Sequence, residues 1–382
     1  MNHASLLFPF VLSPFFGGGD DDPGYVLHEW GTFTTLAGSD GVLLEGLHHD
    51  EGSLPSFVHR RDEMHLGFSG VQTKMETPVI YVYSDRERRL HIRVDFPKGI
   101  LTQWYPQVRW MEPAVADGPP ELRGGFLRWG SLTVLAPGEG LDRIPAVSPE
   151  DPWAFARDVD ANVLRLCSYP ETEYERFLFY RGLGRLDLPL AAKVEGEETV
   201  ALRSRGATIS RPLFVRVRGA KISAAFAESV APGETVRMRT DLPETTVENV
   251  MALVEQELLA SGLYPKEAWA MVNTWRRSYF ETEGLRVLYV LPRRFTDAML
   301  PLSVEPPPRE SVRVLLGRLD ILTPQQERYA EATVREVGTA EEARARLGRF
   351  AEPIVRRVAE TARDAELRGR AQALASALEP QR

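Results

Sequence analysis

The sequence predicts an α+β protein, with an antiparallel, sandwich-like β-rich domain over residues 25–242, an α/β segment over 243–322 and a helical tail over 323–382. Three observations carry that expectation. Short apolar or alternating runs broken by Gly, Pro and Asp fill the first two thirds of the chain, which is the pattern of strands. The period changes to helical spacing at Pro243, and the last sixty residues open on Thr323-Pro324-Gln325-Gln326, a helix N-cap with proline in the first turn. At 382 residues the chain exceeds the ~100–200 residues of a typical single core, so cooperating units are expected.

Residues 1–24 read as a signal-like segment and linker. Leu6 to Phe16 is mostly apolar and is followed by Gly17-Gly18-Gly19 and Asp20-Asp21-Asp22. Eleven residues fall short of the ~20 that a membrane-crossing helix needs and match a signal-peptide h-region. The run predicts an exported protein, periplasmic or extracellular, with no transmembrane span.

Within the β-rich region, Val79–Tyr83 and Leu90–Phe96 flank Asp85-Arg86-Glu87-Arg88 and predict a hairpin. Pro97-Lys98-Gly99 then leads into Ile100–Tyr105 to extend it into a meander. Further strands are expected at Phe126–Leu135, Arg176–Tyr180, Thr199–Arg203, Leu213–Arg218 and Thr235–Arg239. Beyond Pro243, Val247, Val250, Met251, Val254 and Leu258 recur at helical spacing until Gly262, and a second helix is expected over Tyr264–Tyr279. Strands at Leu285–Leu291 and Ser311–Leu316 enclose a short helix begun at Pro292. Thr339 with Glu342 repeats the N-cap signal, and Pro353–Leu378 reads as one helix, docked on the body or serving oligomerisation through its apolar stripe.

Composition narrows the chemistry. A net charge of -8, with no long basic stretch free of acids, argues against a nucleic-acid partner. Cys167 is the only cysteine, so an intrachain disulfide cannot form, and the apolar run Val163–Cys167 predicts that it is core. No nucleotide cofactor is expected, because no P-loop is present and Gly182-Leu183-Gly184-Arg185-Leu186-Asp187 has Asp where the third Gly of a dinucleotide fingerprint belongs. Asp158-Val159-Asp160-Ala161-Asn162 lacks the glycine and glutamate of a calcium loop.

Five of the seven histidines, His28, His48, His49, His59 and His65, fall between positions 28 and 65, interleaved with Glu29, Glu45, Asp50, Glu51, Asp62 and Glu63. Imidazole and carboxylate are the ligand set of Zn and other transition metals. The expectation is therefore a divalent metal held by His28, His49 and His59. Glu29 or Glu45 would then accept a proton from its bound water, as in a metal-dependent hydrolase. The spacing matches no strict template, since Gly31 stands where a second-histidine helix would continue. If Val26 onward is extended, Glu29 points away from His28. The alternative is a non-catalytic exported binding or envelope protein for a carbohydrate or protein ligand, its partner an unspecified small molecule or polymer. Trp104, Tyr105, Trp110, Trp129 and Trp153 are expected to fill the core rather than stack on sugars. Glu173 and Glu175 would serve a glycosidase only if they face each other across a cleft.

Three strings, His28-Glu29-Trp30-Gly31-Thr32-Phe33-Thr34, Lys74-Met75-Glu76-Thr77-Pro78-Val79 and Phe177-Leu178-Phe179-Tyr180-Arg181-Gly182, resemble a group of exported bacterial proteins marked by the His-Glu-Trp-Gly-Thr-Phe motif. The resemblance runs from about residue 25 to 322. It implies export and brings no established activity or site residue with it.

Overall fold

The computed structural model describes residues 24–379 apart from 50–51, 62–67, 69, 114–121, 123 and 168–170. In chain order its strands are β1 (Val26–Ala37), β2 (His59–Arg60), β3 (Thr73–Tyr83), β4 (Arg88–Phe96), β5 (Gly99–Tyr105), β6 (Trp110–Glu112), β7 (Gly125–Val134), β8 (Leu164–Cys167), β9 (Thr172–Glu175) and β10 (Leu178–Gly184). They continue with β11 (Leu190–Glu195), β12 (Thr199–Ser204), β13 (Leu213–Arg218), β14 (Lys221–Phe226), β15 (Thr235–Arg239), β16 (Glu244–Thr245), β17 (Gly284–Val290), β18 (Leu302–Glu305) and β19 (Glu310–Ile321). The helices are α1 (Pro152–Arg157), α2 (Val247–Ala260), α3 (Pro265–Trp275), α4 (Arg293–Met299), α5 (Pro324–Glu336), α6 (Ala340–Leu347), α7 (Ala351–Thr361) and α8 (Ala365–Leu378). The fold is α+β, as the periodicities predict.

A ten-stranded sheet in the order β16-β14-β13-β17-β19-β1-β3-β10-β5-β2 forms the body. A six-stranded sheet, β18-β4-β7-β8-β9 with β6 also on β7, packs on one of its faces, and β11-β12-β15 makes a third, smaller sheet. The change of period near Pro243 marks where helices begin, while the large sheet continues through it: β13 and β14 come from before that point, β17 and β19 from after.

All twelve residues of β1 are buried, because both faces of this strand are covered. Leu27 and Phe33 share one core with Leu90, Ile92, Val94 and Trp129 of the six-stranded sheet. Trp30, on the opposite face, packs with Val250, Met271 and Trp275 of α2 and α3. Further along that face, Leu36 joins Val334, Val355 and Leu374 of the helical tail. The expected docked tail is thus a third apolar cluster against the sheet. Among the described residues no helix is long and apolar enough to cross a membrane.

Four expectations are corrected. β3 and β4 do not form a hairpin, nor β4 and β5 a meander: β3 lies between β1 and β10, β4 between β18 and β7, and β5 between β10 and β2. The reason is that β3 is nearly all buried and both its hydrogen-bonding edges are occupied, so the chain must cross to the other sheet after each of these strands. The tail helix expected over Pro353–Leu378 is two helices, broken at Ala362, with Asp364 accepting from the Glu366 N–H to cap the second. Cys167 is exposed, not core, at the end of β8, where alternation turns it outward from Leu166. Among the aromatic residues expected in the core, Trp104, Tyr105, Trp129 and Trp153 are buried while Trp110 is 46% exposed.

The sheet also buries charge. Glu29 of β1 stands directly opposite Arg313 of β19 and accepts from its Nε and from the Tyr180 hydroxyl. Arg313 reaches on to Asp297 at 2.7 Å and to the Leu300 carbonyl at 2.7 Å. Removing one member of such a buried pair leaves the other uncompensated. Glu29→Gln should therefore lower the unfolding free energy by about 3 kcal/mol, read as a shifted urea midpoint at unchanged slope. An unchanged midpoint would show that the pair does not hold the two strands.

Candidate functional site

The three strings that carry the resemblance fold onto three neighbouring strands, β1, β3 and β10. Both pairings are irregular at the same level. The register of β1 on β3 shifts between Trp30 and Thr32, and that of β10 on β3 shifts between Phe179 and Gly182. Thr77 sits at the centre of these irregularities with φ 49°, an uncommon conformation for a β-branched residue. Gly31 lies so close to Pro78 that a Cβ there would meet the Pro78 Cα at 2.8 Å. Backbone of this kind persists only where surrounding packing enforces it, and it is concentrated at functional sites.

Beside the irregularity is a cavity of about 150 Å³ between the sheet and helices α1 and α3. Trp30, Trp153, Phe177, Phe179 and Trp275 wall it. Trp30 meets Trp275 edge to face at 6.3 Å, and Trp153 lies 5.1 Å from Phe177 and 4.9 Å from Phe179. Trp275 Nε1 donates to Thr77 Oγ1 at 3.3 Å, so helix α3 is tied to the strained residue. Ser53, Asp151, Thr274 and Ser278 are among the polar residues at the lining.

Glu76, Arg181 and Tyr279 supply the polar end. Glu76 accepts from Thr34 Oγ1 at 2.9 Å, from Arg349 Nη1 at 2.8 Å and from the Tyr279 hydroxyl at 3.5 Å. Burial alone would raise its pKa, but the charge of Arg349, reinforced by Lys74, Arg318 and Arg181, overrides that and holds it down at about 2. The Tyr279 hydroxyl is pushed the other way by burial and by the Glu76 charge, and so stays neutral. The cavity thus presents aromatic walls, an ionised carboxylate and a guanidinium to whatever enters it.

The predicted metal residues take separate partners. His28, 1% exposed on β1, faces α3, where its Nδ1 is 2.7 Å from Glu267 Oε2. The same Glu267 accepts from Tyr83 and from the Tyr264 N–H. His49 places Nε2 2.9 Å from the Leu378 carbonyl and 3.3 Å from Glu352 Oε2, alongside His48. His59, on β2, pairs Nε2 with Glu173 Oε1 at 2.6 Å. Three histidines therefore meet three carboxylates on α3, α7 and β9. Glu29 lies on the opposite face from His28, as alternation requires, and Glu45 is half-exposed, 3.9 Å from Arg185. Among the described residues no group of three or more His, Cys, Asp or Glu side chains is placed to hold a metal ion. His65, Asp50, Glu51, Asp62 and Glu63 lie outside the described residues. Glu173 and Glu175 do not face each other across a cleft either: Glu175 is buried against Arg157 and the Trp153 indole N–H.

Sequence reasoning missed Glu76, Arg181 and the aromatic walls. The signal that could have found them lies in the three strings themselves, once they are taken as strands that lie side by side.

Glu352 fastens the helical tail. Burial would raise its pKa, yet hydrogen bonds from His48 and His49 and the nearby Arg356 lower it to about 2. For Glu352 and Glu76 alike, the folded value lies below the ordinary 4.5. Their stabilisation is therefore present above that value and is lost as the pH falls from about 4.5 towards 2. Far-ultraviolet and near-ultraviolet dichroism followed over that window should show loss of tertiary signal. Glu352→Gln should weaken the tail by about 1–3 kcal/mol at neutral pH and flatten the acid transition, whereas an identical acid transition in the variant would exclude this latch. No family model and no curated protein matches the chain, so the site is read from its own geometry.

Proposed function

We propose that the protein is an exported binding protein for a small, ring-bearing polar molecule, held in the cavity between β1, β3, β10 and helices α1 and α3. The observation that carries this reading is convergence. Residues from all three strings of the resemblance, Trp30 from the first, Glu76, Thr77 and Val79 from the second, Phe177, Phe179 and Arg181 from the third, line one cavity. Concave, largely apolar sites with a few placed polar groups are where small ligands bind. A monosaccharide-sized ring suits both halves of the lining, because its C–H face packs on indole and phenyl rings while its hydroxyls donate to Glu76 and accept from Arg181.

Metal-assisted hydrolysis at His28, His49 and His59, with Glu29 or Glu45 as base, draws no support from their separate carboxylate partners. Elemental analysis checks this directly. His28→Ala, His49→Ala and His59→Ala are each expected to leave any metal content of the purified protein unchanged, and loss of a stoichiometric metal in any of them would restore the hydrolase reading.

The binding reading is tested by isothermal titration and tryptophan fluorescence against a panel of neutral and acidic monosaccharides. Thr274→Trp, which fills the cavity from its rim, should weaken binding at least about tenfold while leaving the melting temperature near that of the parent. If no member of the panel binds the parent, or if the filled variant binds as well as the parent does, the reading fails.

A further inference from the structure

The outward face of the six-stranded sheet carries more guanidinium groups than carboxylates, in a chain whose net charge is -8. Arg93 of β4 stands directly opposite Arg128 of β7, and Arg128 directly opposite Trp110 of β6. Like charges facing each other on adjacent strands destabilise a sheet. Of the two guanidinium groups, Arg93 is bridged to Asp95 at 2.6 Å. Arg128 instead lies over the indole of Trp110 at 4.9 Å, as does Arg109 at 4.7 Å. Two rows further along, past His91, Arg89 and Arg165 flank Thr133 across β4, β7 and β8. Asp95, Glu112 and Glu305 are the acids of these strands' outward positions, so guanidinium groups outnumber them. Trp110 is the only large apolar side chain of this sheet, among the described residues, that is strongly exposed.

We propose that this face binds an acidic polysaccharide, with the Trp110 indole edge and the guanidinium groups of Arg93, Arg109 and Arg128 gripping successive sugar units. Guanidinium groups pair bidentately with carboxylate or sulfate, and an indole already packed against two of them is restrained at little further entropic cost. An extended chain suits a flat sheet face that offers contacts along two rows about 4.8 Å apart in the strand-to-strand direction. A membrane surface fits less well. One exposed indole, with the half-buried Phe126 covered by the Arg93 guanidinium beside it, buries little in a bilayer, and interfacial anchoring needs a broader apolar face. Nucleic acid fits less well too, since its density of about one charge per 1.7 Å would be repelled by the acidic remainder of the protein, which a glycan with one charge per sugar or two tolerates.

The test is titration of the full chain with a polygalacturonate oligomer of about ten units by isothermal calorimetry at low and raised salt. Binding is expected, weakening as salt rises, with no binding of a neutral dextran oligomer of the same length. Trp110→Ala and Arg128→Ala change exposed or half-exposed side chains and should leave the melting temperature near that of the parent. Each should weaken the oligomer at least about fivefold, and Arg128→Glu should abolish binding. Monosaccharide binding in the cavity should be untouched by all three, which separates this surface from that site. The proposal is overturned if the parent does not bind polygalacturonate or if the variants bind it as the parent does. It is equally overturned if dextran, phosphatidylglycerol vesicles or a single-stranded oligonucleotide bind as tightly.

Discussion

Twelve residues of β1 run parallel to twelve of β19, in unbroken register from Val26 opposite Glu310 to Ala37 opposite Ile321. Everything else is arranged around this pair. Parallel strands need both faces covered, and here one face is sealed by a second sheet and the other by helices. The pairing also sets which charges meet. Glu29 falls opposite Arg313, and Thr34, which donates to Glu76, falls opposite Arg318. Were the register to slip by one residue, every buried carboxylate and guanidinium of the two strands would exchange faces.

The two faces of the large sheet have different tasks. The face against the six-stranded sheet is closely filled with Leu, Ile, Val and Phe, and its buried ion pair serves cohesion. The helix-covered face combines aromatic residues with ionised groups, Glu76, Arg181 and Arg318, in one region, and there the strands depart from regular pairing. A buried carboxylate costs desolvation, and that cost is offset here only because several guanidinium groups converge on it.

Much of the fold was legible in local chemistry. Thr323 with Gln326 and Thr339 with Glu342 both form the capping boxes that their spacing implies. The strands at Leu213–Arg218 and Thr235–Arg239 begin and end where alternation places them. Strand partners were not legible. The link Asp85-Arg86-Glu87-Arg88 has hairpin character, but whether two strands pair depends on which edges are already taken, and the neighbours of β3 come from residues 26–37 and 178–184. The histidines illustrate the same limit. Their closeness in sequence suggested one centre, yet each has its nearest carboxylate more than a hundred residues away, at Glu267, Glu352 and Glu173. The cavity was hidden for that reason as well, since its walls come from three strands and two helices that no single window contains.

The central place of β1 also bears on how the chain reaches its native state. The sheet's innermost pair joins segments 284 residues apart, so Val26 has no parallel neighbour until Glu310 has left the ribosome or, in an exported chain, the translocation channel. Contacts of such long range make folding slow, because the loop-closure entropy must be met before the core rewards it. Until then β1 has β3 available for one edge while the edge that β19 will take stays open, the kind of exposed edge that pairs with other chains. A topology that places its earliest described strand at the centre of the largest sheet thus leaves the completion of that sheet to residues 310–321, near the far end of the described chain.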